Sequence, residues 1–191
     1  MRLALIYMAS GFGRRFGSNK LLIPLEGQPL YRHGLQHLME AAGRLESSGR
    51  FQTSVIVASQ YEEILEYARS LGAEAVQNPY SAEGITASIR LGTKGAPADA
   101  ELYLYFVADQ PYLSAESIVR LVEGLMESDR GIGCVKKGSP CIFRVKYREE
   151  LLALAGDRGG RQIIRCHPED VWEMEVSEEE LRDIDLPEDL L

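Results

Sequence analysis

The 191-residue chain is 45% hydrophobic and 26% charged, enough for a packed core and unlike a disordered tail or a fibre. Its 29 acidic residues outnumber its 21 basic ones, and the net charge of −8 repels nucleic acid and anionic lipid, so an anionic ligand needs a local cationic site. The longest apolar runs, Leu3 to Ala9 and Leu102 to Ala108, fall far short of the roughly 20 residues that span a bilayer, and Cys134, Cys141 and Cys166 show neither a C-x-x-C pair nor zinc spacing, which suits a reducing cytoplasm.

In chain order, residues 3–8 read as a buried parallel strand, a short apolar run stopping at a glycine cluster. The glycines arrive too early for a secretion signal, so the mature chain is expected to begin at Met1. Apolar spacing then predicts a helix over 29–46, a strand over 54–58, helices over 61–71 and 82–91, a strand over 102–108 and a helix over 115–126. Ser81 and Ser114 stand where N-caps belong. The βαβ alternation predicts an α/β fold, a mostly parallel sheet with helices on both faces. Beyond Asp129 the rhythm loosens. Residues 131–135 and 141–145 read as strands around a turn at 136–140, residues 146–155 and 161–167 as helices, 171–176 as a strand, and 187–191 as a short closing helix. No repeat or linker interrupts the chain, so a single domain over 1–191 is expected.

The stretch from Met8 to Lys20 is the most informative. It sets Gly11, Gly13 and Gly17 with Arg14, Arg15 and Lys20 directly after the first strand. Glycines let backbone N–H groups close around a phosphate, and the cations neutralise its charge. The spacing is neither a P-loop, because Asn19 precedes Lys20, nor G-x-G-x-x-G, because Phe16 stands at the third glycine. Spacing alone supports a phosphate binder and leaves a plain surface loop open.

Asp109 lies where the 102–108 strand stops, the edge at which ligands of open α/β sheets gather. One such carboxylate beside a phosphate loop suffices to recruit Mg²⁺, though it can equally cap the turn before Pro111. Asp183 and Asp185, at i and i+2, share a side of an extended segment and offer a second metal contact, or belong to a charged tail. His33 and His37 have helical i, i+4 spacing without a third ligand and read as structural, and Tyr103, Tyr105 and Trp172 read as packing residues. Cys134 and Cys141 read as small buried hydrophobes, and Glu178-Glu179-Glu180 as a solvated helix start.

Together these segments resemble the MobA-like nucleotidyltransferases, most closely the molybdenum cofactor cytidylyltransferase branch, whose first motif runs L-A-A-G-x-S/G-x-R-F/M-G-x-x-K-L. Here it reads Met8-Ala9-Ser10-Gly11-Phe12-Gly13-Arg14-Arg15-Phe16-Gly17-Ser18-Asn19-Lys20-Leu21. Matches continue through Pro24–Leu30, Asn78–Arg90, Ala108–Pro111, Gly138–Pro140, Gly156–Arg161 and Asp183–Leu190, in the family's order. The resemblance implies a Rossmann-like nucleotidyltransferase domain that moves CMP from CTP to molybdenum-bearing molybdopterin and releases pyrophosphate. It places Ala9, Ser10, Gly11, Gly13, Gly84 and Ser88 around the nucleotide, Arg15 and Lys20 on the triphosphate, and Mg²⁺ on Asp109 with Asp183 or Asp185. As partners it implies CTP or another nucleoside triphosphate, a molybdopterin-type acceptor and transient contact with a molybdenum hydroxylase, but neither nucleic acid nor membrane.

Three positions depart from the pattern. Ser10 replaces the second alanine of L-A-A-G, a position near the base where L-A-G-G accompanies guanine. Ser139 stands at the histidine of G-H-P, and Gly160 at the alanine of G-D-x-G-A-R. The stretch between Met126 and Gly138 is also short for the branch. CTP is favoured over GTP, while another phosphorylated acceptor, or a cofactor-binding accessory role without transfer, stays open.

Overall fold

The computed structural model describes residues 1–11, 19–136, 138–156 and 158–184. Strand β1 (Arg2–Met8) leads to a 3-10 turn at Lys20–Leu22 and a small hairpin, β2 (Pro24–Leu25) and β3 (Gln28–Pro29). Next come α1 (Leu30–Ser47), β4 (Gln52–Ser59), α2 (Glu62–Ser70), β5 (Glu74–Gln77), α3 (Ile85–Gly95), β6 (Leu102–Val107) and α4 (Ala115–Glu127). The second half adds β7 (Ile132–Val135), β8 (Cys141–Arg144), α5 (Arg148–Ala153), α6 (Arg161–Cys166) and β9 (Val171–Met174).

One seven-stranded sheet runs in the order β5-β4-β1-β6-β8-β7-β9. Strands β5, β4, β1 and β6 are parallel, β8 lies antiparallel to both β6 and β7, and β9 is parallel to β7, so the sheet is mostly parallel with β8 reversed. Strand alternation divides the core. Leu3, Leu5 and Tyr7, with Leu104 and Phe106, meet Leu35 of α1, Ile64 of α2 and Leu121 of α4. Ala4 and Ile6, with Tyr103 and Tyr105, meet Ile89 of α3, Leu151 of α5 and Ile163 of α6. Helices thus cover both faces. The α3 backbone comes very close to β1, since a Cβ on Gly92 would lie 2.3 Å from Ile6 Cγ2.

Four local expectations need correction. β5 and the β2–β3 hairpin have too few apolar residues to stand out, and β5 forms through its pairing with β4. Helix α3 starts at Ile85 with Gly84 as N-cap, while Ser81 opens a 3-10 turn; Ser114 does cap α4, accepting from Ser117 N at 3.1 Å. The 146–155 helix shortens to a 3-10 turn at Val145–Tyr147 followed by α5. Glu178-Glu179-Glu180 begin no helix: residues 178–181 form turns. The closing helix at 187–191 lies outside the described residues.

After β1 the chain builds β4 and β5 on one side, then returns to β6 on the other. β1 and β6 stay paired to their carboxyl ends, but from there the chain continues to strands on opposite sides, and a crevice opens at this point where strand order reverses.

Candidate active site

That crevice is a cleft of about 480 Å³ lined by Ser10 and Gly11 after β1, Lys20, Val107 to Asp109 at the end of β6, and Gly84, Ile85 and Ser88 at the start of α3. Its size suits a small-molecule ligand. The positive end of the α3 dipole lies at its wall, because Gly84 is that helix's N-cap. Gly84 adopts φ +88° and ψ −165°, a region essentially closed to residues with a Cβ.

Lys20 is only 9% exposed, and a buried ammonium must be paired. It donates to Asp109 Oδ2 at 3.0 Å and to the Ile184 carbonyl at 3.0 Å. The local chain makes this possible: Asn19 Oδ1 accepts from Leu21 N at 3.1 Å, winding the 3-10 turn that holds Lys20 against the sheet edge. Asp109 is a third exposed, and Lys20 engages one carboxylate oxygen, so Oδ1 remains available to a ligand. The Asp109 carbonyl also accepts from Ile184 N at 3.0 Å, stitching the C-terminal segment to the end of β6.

A second network fixes the opposite wall. Asn78 is fully buried, and its Nδ2 donates to Ser10 Oγ and Ser88 Oγ, both at 3.0 Å. Asn78 Oδ1 accepts from Tyr80 N at 3.0 Å. The Ser10 hydroxyl donates to the Ala58 carbonyl at 3.2 Å, while the Ser10 carbonyl accepts from Gln60 Nε2 at 2.8 Å. Tyr61 donates its hydroxyl proton to the Gly11 carbonyl at 3.0 Å. One asparagine therefore ties the end of β1, the start of α3 and the edge of β4 into a single floor.

Ser10, Gly11, Lys20, Gly84, Ser88 and Asp109 all reach this cleft. Ala9 does not line it; fully buried, it supports the floor by donating its N–H to Ala58 O at 2.9 Å and accepting from Ser59 Oγ at 2.7 Å. Gly13, Arg15 and Asp185 lie outside the described residues. Asp183 is exposed and adjoins Ile184, whose backbone meets both Asp109 and Lys20. Ser139 donates no charge here but its Oγ accepts from Val107 N at 3.4 Å. His33 and His37 hold separate carbonyls, Leu25 O at 2.9 Å and Leu113 O at 2.8 Å. Burial pushes the Cys134 thiol up to about 11 and the Cys141 thiol to about 12, keeping both protonated at neutral pH.

Sequence reasoning left two residues without a role. Asn78 stood inside a quoted motif, but its burial is visible only in three dimensions. Glu180 belonged to an acidic run, yet it accepts from Ser114 N at 3.0 Å and Ser114 Oγ at 2.7 Å. Burial acts to raise its pKa, but these hydrogen bonds outweigh that and hold it below the ordinary carboxylate range.

For a divalent cation, the described residues gather no group of three His, Cys, Asp or Glu side chains. The free oxygen of Asp109 is a hard anionic donor, which fits an ion such as Mg²⁺ that takes one or two carboxylates and completes its shell with phosphate and water.

Comparison with known proteins agrees with this architecture. The sequence model described as the MobA-like NTP transferase domain matches residues 5–171. A "Probable molybdenum cofactor guanylyltransferase" of Pyrococcus horikoshii is 28% identical over 164 residues, covering 83% of this chain and 76% of the relative. Among solved structures, Rv0371c of Mycobacterium tuberculosis H37Rv superposes with a TM-score of 0.77 at 20% identity, over 99% of this chain and 96% of that one. A nucleotidyl transferase of Methanothermobacter thermautotroptrophicus does so at 0.77 and 21%, over 98% and 93%.

Proposed function

This chain belongs to the MobA-like NTP transferase family and is a nucleotidyltransferase of that kind, and on that premise we propose that it transfers CMP from CTP to the terminal phosphate of molybdenum-bearing molybdopterin, releasing pyrophosphate. The observation that carries the reading is the Lys20–Asp109 pair, 3.0 Å apart at the mouth of the cleft between β1 and β6. A buried cation beside a hard anion is what a metal-bound polyphosphate requires of its site.

Asp109, with Asp183 or Asp185, would hold Mg²⁺, which when bound neutralises phosphate charge and polarises the α-phosphate. Lys20 exchanges its Asp109 contact for triphosphate oxygens, joined by Arg15. The α3 N-terminus at Gly84 adds its partial positive charge, and Asn78 holds Ser10 and Ser88 so that the nucleotide meets a preformed wall. The acceptor phosphate oxygen attacks the α-phosphorus as the bond to pyrophosphate breaks. No protein nucleophile takes part, so the chain's work is positioning and charge neutralisation.

The choice of CTP rests on Ser10. Its hydroxyl is held between Asn78 Nδ2 and the Ala58 carbonyl, at the position where the resembled motif has the second alanine of L-A-A-G and not the glycine that accompanies guanine. A second reading, with GTP as donor, is favoured by the name of the Pyrococcus horikoshii relative. We place the reaction in the cytoplasm, with residues 1–191 working as one domain and the product handed to a molybdenum hydroxylase. Among the described residues no helix is long and apolar enough to cross a membrane.

The test is pyrophosphate release from purified protein with Mg²⁺, molybdopterin acceptor and either CTP or GTP. CTP-dependent release supports the proposal, and GTP-only release moves it to the second reading. Pterin binding without release from either nucleotide would make the protein a cofactor-binding accessory.

A further inference from the structure

We propose that Glu180 is a positioning residue for nucleotidyl transfer, an inference that rests on the reading above. Residues 177–184 run back along the loop after β6 as a strap with three rungs. Glu180 accepts from Ser114 N at 3.0 Å and Ser114 Oγ at 2.7 Å. Arg182 lies 4.7 Å over the Tyr112 ring and donates to its hydroxyl at 3.0 Å. Ile184, fully buried, donates its N–H to the Asp109 carbonyl at 3.0 Å and accepts from Lys20 Nζ at 3.0 Å.

The alternate residues 180, 182 and 184 thus meet 114, 112 and 109 in reverse order, the sense of an antiparallel pairing. Glu180 is the outermost rung and a charged one, with Ser177 Oγ accepting its own N–H at 3.2 Å to close the turn behind it. Hydrogen bonds to an ionised acceptor are the stronger kind. Ser114 is simultaneously the N-cap of α4, so Glu180 sits at the positive end of a 13-residue helix. The strap's register against a rigid helix is set there and transmitted over four residues to the backbone that holds Lys20 and flanks Asp109. Glu180 touches no substrate. Its role is to place the Ile184 carbonyl and the neighbouring Asp183.

The experiment compares wild type with Glu180→Ala, Glu180→Gln and Glu180→Asp. One readout is tryptic cleavage after Arg182, followed by mass spectrometry without nucleotide; the other is steady-state pyrophosphate release. In Glu180→Ala the strap loosens, cleavage after Arg182 accelerates at least tenfold, and kcat falls about tenfold while KM for the nucleotide stays within twofold. Glu180→Gln, which keeps an acceptor oxygen, restores most of both properties. Glu180→Asp, one methylene shorter, lies between them and serves if the alanine variant does not fold. Wild-type kcat in Glu180→Ala, or an unchanged cleavage rate, overturns the positioning role alone. A wild type that releases no pyrophosphate with either nucleotide overturns the transfer reading and the positioning role with it.

Discussion

Lys20 illustrates how one side chain carries both stability and chemistry. Its ammonium is buried against Asp109 and the Ile184 carbonyl, so removing it strands an anion and a carbonyl at the cleft mouth. Lys20→Ala is expected to lower kcat by about 10²-fold, on the order of the ~3 kcal/mol assigned to one transition-state donor. Asp109→Ala should lose at least as much, because it removes the hard anion proposed to seat the metal. Both are read by pyrophosphate release, and wild-type turnover in either would sink the proposed chemistry. Ser10 belongs to the same scale. Ser10→Gly vacates the space pinned beneath Asn78 and should shift the ratio of kcat/KM for CTP over GTP toward GTP by about tenfold, measured with the two nucleotides in parallel.

At the level of elements, the site depends on how closely α3 lies on β1. A methyl at position 92 would stand 2.3 Å from Ile6 Cγ2, on a β-branched side chain that cannot rotate away within a filled core. The helix propensity gained by Gly92→Ala, about 1 kcal/mol, is therefore outweighed by overpacking of ~1–3 kcal/mol. The thermal midpoint should fall by several degrees, and nucleotide affinity should weaken with it because Gly84 and Ser88 start the displaced helix. A rise in the midpoint would show that α3 moves freely. β1, β4, β6, α1, α2 and α4 announce themselves by apolar period, and Gly11, Lys20 and Asp109, which reach the cleft, by their place after strands. β5 is not legible, since Glu74-Ala75-Val76-Gln77 extends only because β4 offers it an edge. Nor is Asn78, whose two donors find Ser10 and Ser88 at sequence distances of 68 and 10 residues. Glu180 reads as solvated charge until Ser114 comes within 2.7 Å of it.

The whole molecule contains a remote charged cluster that should govern its behaviour in acid. Burial acts to raise the Asp170 pKa, but hydrogen bonds from Lys146, Tyr147 and the Gly131 N–H outweigh it and hold the group down at about 2. A carboxylate with a depressed folded-state pKa stabilises the fold above its unfolded value, near 4, and that contribution drains away as pH falls toward 2. Melting curves between pH 7 and pH 2 should show a midpoint falling below about pH 4, and Asp170→Asn should flatten that decline while lowering the neutral-pH midpoint. An Asp170→Asn curve parallel to wild type would exclude Asp170 as a source of the decline. Finally, Lys20 and the carbonyl that accepts its hydrogen bond are separated by 164 residues of chain. At ribosomal speeds of about 5–20 residues per second, about 8 to 33 seconds of synthesis divide the birth of the two partners. A nascent polypeptide that has emerged only through β9 can bury its sheet and still lack the clasp over its lysine, so competence waits on the stretch around Ile184.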